Sequence, residues 1–244
     1  MNMERKADER DFEVLSLELN DDDARGAYKT LYDDYKPGFV PRIFGGFLIW
    51  CGNVFYGTKP SYLKFRSIEV IARVPYHSWT TSVYTLLTMF YMNEDKAIDL
   101  SCTNEFAQIA QDNETMHVVV ISQLAKRANR RANFMQHTLV PMIFAFFYFW
   151  VAYFMHLISK RSSYELNYLF EKHAFEQYDE FIRENEAGLK EKKCNCDFLT
   201  WYGRSAENEY EFFCQVRNDE LIHRNASIEE IELDEENAQH VHFD

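Results

Sequence analysis

Four glutamates spaced down this chain constrain its fold more than any other feature. Glu69, Glu114, Glu171 and Glu220 are separated by 45, 57 and 49 residues. Each interval is long enough for one long helix and a return. Glu114 and Glu220 are each followed three residues later by a histidine, His117 and His223, and no other Glu-x-x-His pair occurs in the sequence. On a helix that spacing puts carboxylate and imidazole on one face, within reach of one metal ion. Two helices giving a Glu each and two giving Glu-x-x-His are the ligand set of carboxylate di-iron proteins, built into a four-helix bundle core. The expected fold is therefore all-α, a ferritin-like four-helix bundle. Glu69, Glu114, His117, Glu171, Glu220 and His223 are its candidate ligands for two iron ions. Four carboxylates neutralise a ferrous pair, and two imidazoles complete the nitrogen ligation while leaving positions for dioxygen.

Composition agrees with this class. Hydrophobic residues make up 47% and aromatics 16%, enough for a large core, while eight Gly and five Pro are too few for a many-turned β architecture. The bundle is expected over 36–226, between an acidic N-terminal extension at 1–35 and an acidic mobile tail at 227–244. A net charge of −13 excludes broad nucleic-acid binding, which needs a basic face. Positive charge is instead gathered in an island of Lys126, Arg127, Arg130 and Arg131. Five cysteines are an odd number, and Cys194-Asn195-Cys196 is too close a pair, with no histidine at finger spacing, for a zinc site. Free thiols in a reducing compartment are expected. The N-terminus, MNMERKADERDFE, has no apolar core and mixes acids with bases, unlike a secretory signal or an Arg-rich transit peptide.

Two segments are apolar enough to meet lipid. Ile43–Tyr56 is uncharged and rich in aromatics, but short and interrupted by Gly45, Gly46 and Gly52, which suits a helix at a membrane interface. Thr138–Ile158, TLVPMIFAFFYFWVAYFMHLI, is uncharged throughout and long enough to be a transmembrane candidate. Lys160 and Arg161 close it. This segment separates Glu69, Glu114 and His117 from Glu171, Glu220 and His223. A single crossing would put the two halves of one site on opposite sides of the membrane. If the six residues converge, the segment is an embedded helix of the bundle confined to one leaflet. Elsewhere, Pro75 is expected to kink the helix that carries Glu69. The Glu114 helix should begin near Ser101, and the last helix should cover 205–226.

The residues around the six ligands carry a resemblance. Ile68-Glu69-Val70-Ile71-Ala72-Arg73-Val74-Pro75 resembles LETVAAVP, the first-ligand motif of the alternative oxidase family, with Glu and Pro in register. Asn113-Glu114-Thr115-Met116-His117 is similar to its NERMH. Leu169-Phe170-Glu171-Lys172-His173-Ala174, with Tyr178, resembles YLEEEA followed by a tyrosine. Arg217-Asn218-Asp219-Glu220-Leu221-Ile222-His223-Arg224 is similar to RADEAHHR. The likeness covers roughly residues 40–226. It implies a di-iron centre on the six ligands, with Asn113, Asp219 and Trp201 supporting them through hydrogen bonds from outside. Tyr178 matches the family's redox-active tyrosine beside the quinone, and Lys64, Ile68 and Ala174 fall at the quinol pocket. There are departures. Lys64 replaces an Arg five residues before the first Glu, losing the bidentate fork. Lys172 and His173 replace two glutamates, Thr200 stands where an aromatic is common, and Tyr164 replaces a His.

The activity that this resemblance implies is oxidation of quinol, such as ubiquinol, with reduction of dioxygen to water and no proton pumping. It also implies association with a lipid bilayer, in one leaflet at the cytoplasmic face of a bacterial inner membrane or at an organellar inner membrane, and a homodimer. The same ligand set serves a second class, di-iron hydroxylases and desaturases of quinones or lipids. A third is an inactive membrane subunit that has kept the bundle.

Overall fold

The computed structural model describes residues 9–240. Ten α-helices follow one another: α1 (Glu9–Glu18), α2 (Asp22–Thr30), α3 (Phe39–Tyr56), α4 (Tyr62–Ala72), α5 (Val74–Phe90), α6 (Glu94–Arg127), α7 (Val140–Ile158), α8 (Lys160–Lys190), α9 (Asp197–Trp201) and α10 (Glu209–His240). One π-helical turn, Met135–Leu139, leads into α7. No strand is present among the described residues; the nearest thing to one is an isolated bridge between Lys193 and Asn208.

The bundle consists of four rods. Three are single helices of 34, 31 and 32 residues, α6, α8 and α10. The fourth is α4 and α5 in series, broken where sequence predicted a kink. Pro75 has no N–H to give a preceding turn, so it sits in the first turn of α5, where that donor is not needed. Ser61, Asn93 and Ser159 cap α4, α6 and α8 by accepting backbone N–H bonds, each such cap contributing about 1 kcal/mol. Helix α8 packs against α10, and α6 packs against α4 and α5. Two apolar clusters fill the ends of the bundle. One gathers Phe65, Met116, Val120, Phe181 and Phe213, the other Tyr76, Trp79, Ala107, Tyr164 and Ile228. All six candidate ligands lie between them.

Helix boundaries differ from expectation in three places. Helix α6 starts at Glu94, because Asn93 caps it and Glu94 and Asp95 favour its N-terminus. Helix α3 runs unbroken through its three interior glycines and begins at Phe39, so its 18 residues are long and apolar enough to cross a membrane by length and composition. Glycine only lowers helix propensity, and neighbouring packing outweighs that; a side chain at Gly45 would meet Leu169 of α8 at 3.1 Å. Finally, α10 does not stop at 226. Ser227, Ile228 and Ile231 are buried, so the helix continues to His240 where a mobile tail was expected. The remaining residues of that tail, 241–244, lie outside the described residues. The N-terminal extension likewise contains helices α1 and α2, and Phe12 and Leu15 of α1 pack in a cluster with Leu221 and Ile222 of α10.

Helix α3 packs on α8 and helix α7 on α5, α4 and α8, and the C-terminal end of α3 meets the start of α7. Phe55 and Phe144 meet edge to face at 5.6 Å, and Tyr56 Oη donates to the Gln136 carbonyl at 2.9 Å. Their outer faces expose Ile43, Phe47, Trp50, Met142, Phe146, Phe147 and Trp150. The span Met135–Ile158 is the more apolar of the two, with mean hydropathy 1.8 against 1.2. Exposed apolar area this extensive marks an interaction surface.

Candidate metal centre

Each rod delivers its candidate ligand to the same point. Glu69 comes from α4, Glu114 and His117 from α6, Glu171 from α8, and Glu220 and His223 from α10; all six are at most 2% exposed. They form two overlapping quartets, Glu69–Glu114–His117–Glu220 and Glu114–Glu171–Glu220–His223, and within each the ligand atoms lie within 4.8 Å of one another. Glu114 and Glu220 belong to both. That arrangement suits two adjacent cations, with two shared carboxylates and one Glu and one His to either side.

The donor set passes a test that a packed polar core would fail. Glu69 Oε2, both oxygens of Glu114 and of Glu220, His117 Nδ1 and both ring nitrogens of His223 have no hydrogen-bond partner. Buried polar atoms are nearly always satisfied, so orphans that all face one another imply a cation between them. The ion-pair distances agree. His117 Nδ1 lies 3.5 Å from Glu69 and from Glu114 and 3.4 Å from Glu220, and His223 Nδ1 lies 3.0 Å from Glu114.

Crowding four carboxylates in a dry core distorts their acidities. Burial, then the charge of Glu114, pushes Glu69 up to about 8. Glu171 and Glu220 are raised for the same two reasons. Burial opposes ionisation of Glu114 too, but the adjacent imidazoles of His117 and His223 outweigh it and hold Glu114 low. One cation-poor pocket thus contains several acids resisting ionisation, a penalty that a divalent ion removes.

Around the ligands lies a supporting layer, part of it as expected. Asp219 is fully buried and accepts from His117 Nε2 at 3.0 Å and Asn113 Nδ2 at 3.1 Å. Burial raises the Asp219 carboxyl, yet the Arg204 guanidinium and His117 override it and keep the group well below its ordinary value. With Nε2–H donating to this carboxylate, His117 presents Nδ1 as its unprotonated nitrogen to the quartet. This is how a ligating histidine is oriented from behind.

Trp201 is not part of this layer. It is 77% exposed on α9, with its ring tilted against Phe198. The short helix ends there, Gly203 turns the chain at φ 98°, and Arg204 takes the place beside Asp219, with Nη1 at 2.5 Å from Oδ2. From α1, Ser16 Oγ donates to Asp219 Oδ1 at 2.6 Å, and the Phe12 ring lies 5.4 Å from His223. On the other side, Tyr76 Oη donates to Glu171 at 2.7 Å and is itself held by Asn167 at 2.9 Å. Tyr76 stands seven residues after Glu69, two turns further along the rod, a spacing that could have pointed to it. Arg204 and Ser16 carry no such signal.

The expected substrate residues also gather. Tyr178 Oη donates to Glu69 Oε1, and its ring stacks on Phe65 with centroids 4.0 Å apart. Lys64, Ile68, His173, Ala174 and Gln177 line a cavity with Glu69, Glu171 and Tyr178, and Leu48, Phe55, Phe144 and Tyr148 of the two apolar helices form its outer wall. Lys64 Nζ donates to Gln177 at 2.7 Å, to the Thr58 carbonyl at 3.0 Å and to Asn53 at 3.2 Å.

Comparison with known proteins agrees with this geometry. Over 184 residues the chain is 23% identical to the chloroplastic/chromoplastic ubiquinol oxidase 4 of Arabidopsis thaliana, covering 67% of this chain and 49% of the relative. The chain therefore spans about half the length of the curated relative it matches. No solved structure matches it. Residues 45–230, most of the chain and all six candidate ligands, match the profile of the Alternative oxidase family, and the chain belongs to that family.

Proposed function

We propose that this protein is a membrane-bound quinol oxidase that passes electrons from quinol to dioxygen at a di-iron carboxylate centre. The observation that carries the reading is the cavity between α3, α7 and the bundle. It is lined by apolar side chains on the lipid-facing side and ends at Glu69, Glu171 and Tyr178. A quinol headgroup entering from the bilayer meets the redox site without passing through water.

Iron held there would supply the redox chemistry between quinol and dioxygen. The balance is two quinols and one dioxygen giving two quinones and two waters. The protein's residues hold and orient. Glu69, Glu114, His117 and Glu220 would hold one ion, and Glu114, Glu171, Glu220 and His223 the other. Asp219, fixed by Arg204, Asn113 and Ser16, sets the orientation of His117. Tyr178, bonded to Glu69, is placed to lend one hydrogen atom transiently and to regain it from quinol, so that all four equivalents come from the two quinols.

Both Glu114 and Glu171 serve one site, although α7 lies between them in sequence, so α7 lies in one leaflet with its exposed face in lipid. In this arrangement neither α3 nor α7 carries protons across the bilayer, and the proposed reaction is non-electrogenic. Oxygen uptake with a short-chain quinol, comparing the iron-loaded protein with Glu114→Ala, tests the reading. Uptake resistant to cyanide and lost in the variant is expected. No uptake from the iron-loaded wild type refutes it, and labelled oxygen appearing in an organic product points to a hydroxylase.

A further inference from the structure

We propose that the cleft at the C-terminal end of α6 binds the phosphate of an anionic phospholipid. Arg66 of α4 and Lys126, Arg130 and Arg131 line it. None of these four cations makes an ion pair among the described residues, in a chain of net charge −13 whose other cations include eleven that do. An uncompensated group of four like charges is costly to hold together, and an anion between them removes that cost.

The cleft is built. Helix α6 ends in a Schellman motif: Arg130 N–H donates to the Ala125 carbonyl at 3.0 Å and Asn129 N–H to the Lys126 carbonyl at 3.1 Å. Asn129 sits at φ 53°, the left-handed conformation that this motif demands and that asparagine tolerates better than most residues. The turn therefore fixes the direction in which Arg130 and Arg131 leave the helix. A helix C-terminus repels anions, so the attraction comes from the four side chains. No acidic residue lines the cleft.

Its place in the molecule identifies the anion's source. Three residues after Arg131 the exposed apolar surface begins, with Phe134 67% and Met135 59% exposed. Gln136 is tied to the end of α3 through the Phe55 carbonyl and Tyr56. The basic cleft thus stands at the junction where an apolar band meets water, the level at which a lipid places its phosphate. A free phosphate ion would satisfy the cations but not this junction with exposed apolar side chains. The proposal rests on α3 and α7 lying in the bilayer surface.

The test is co-sedimentation of the full iron-loaded chain with vesicles of phosphatidylcholine alone or with added phosphatidylglycerol. The triple variant Lys126→Ser, Arg130→Ser, Arg131→Ser is compared with a charge-matched control, Lys29→Ser, Arg183→Ser, Lys190→Ser. Each cation near an anionic surface contributes enough that losing three should weaken partitioning to the anionic vesicles roughly 100-fold. Binding to phosphatidylcholine alone should stay unchanged, and the control should keep its preference for phosphatidylglycerol. Equal binding of the wild type to both vesicles overturns the proposal, as does a triple variant that keeps the preference. Inorganic phosphate that binds the wild type in calorimetry and abolishes the lipid preference assigns the cleft to free phosphate and overturns the lipid. Binding to neither vesicle overturns the bilayer reading itself, a distinct failure.

Discussion

Arg204→Met should destabilise the protein and loosen its metal together, because one carboxylate connects the two. Asp219 is fully buried and accepts from four donors, Ser16, Asn113, His117 and Arg204. Arg204 is the one permanent cation among them. Removing one partner of a buried charge pair costs about 3–5 kcal/mol. The three donors that remain put the expected loss at the lower end, about 3 kcal/mol. For a chain of this size each kcal/mol lowers Tm by about 2–4 °C, so the metal-free variant should melt roughly 6–12 °C below the metal-free wild type. An ill-held Asp219 also orients His117 less firmly, and loss of such an outer partner typically weakens metal binding about 10–100-fold. Melting curves with and without iron, and iron affinity by competition with a chelator, measure both effects. Trp201→Ala is the control: the side chain is exposed, so its stability change should stay within about 0.5 kcal/mol. A normal melt and normal iron affinity in Arg204→Met, or a large effect in Trp201→Ala, would refute the assignment of Arg204 as the residue that fixes Asp219.

Four further outcomes are expected. Ala174→Phe fills the cavity without touching a ligand, so iron content should hold while the KM for quinol rises at least about tenfold; unchanged KM would place the quinol elsewhere. Tyr178→Phe removes the hydroxyl bonded to Glu69 and should lower turnover by about a hundredfold with both irons retained, seen by steady-state oxygen uptake beside metal analysis. Ile228→Ala should cost about 2–5 kcal/mol in urea unfolding, because Ile228 is 1% exposed; a cost near zero would mean that α10 ends before it. Lys64→Met should lower stability and leave the KM for quinol nearly unchanged, which parallel unfolding and kinetic titrations would show.

The convergence of the six candidate residues was legible because helix geometry makes it so. A metal site on four rods must repeat its carboxylates at helix-and-return intervals, and Glu-x-x-His must be spaced by three. Pro75 marked the break between α4 and α5 for an equally local reason. The continuation of α10 was obscured by composition. Glu229, Glu230, Glu232, Asp234 and Glu235 read as a solvated tail, while Ile228 and Ile231, three residues apart on one face, carry the packing. Asp219's partners were illegible in a different way. Ser16 lies 203 residues before it in the chain, and Arg204 reaches it from a turn whose course depends on Gly203. Trp201 was chosen by likeness of position, but three residues on, Arg204 already fills that space.

The departures from the family pattern follow one rule: a ligand position answers to a metal, and every other position answers only to volume and charge. Tyr164, where a histidine is usual, is a core residue packed edge-on against Trp79 at 4.9 Å. Lys172, where a glutamate is usual, faces away from the centre and lies 3.8 Å from Asp33, so the extension supplies the carboxylate that makes the substitution acceptable. Lys64 is the informative case. An ammonium has three donors, and Gln177, Asn53 and the Thr58 carbonyl provide three acceptors for them. A guanidinium has five donors, so an Arg at this position could satisfy those acceptors and still offer N–H groups to a bound carbonyl. Lys64 cannot do so without giving one up. Its role in this chain is to brace α4 against α8, the end of α3 and the loop that follows it.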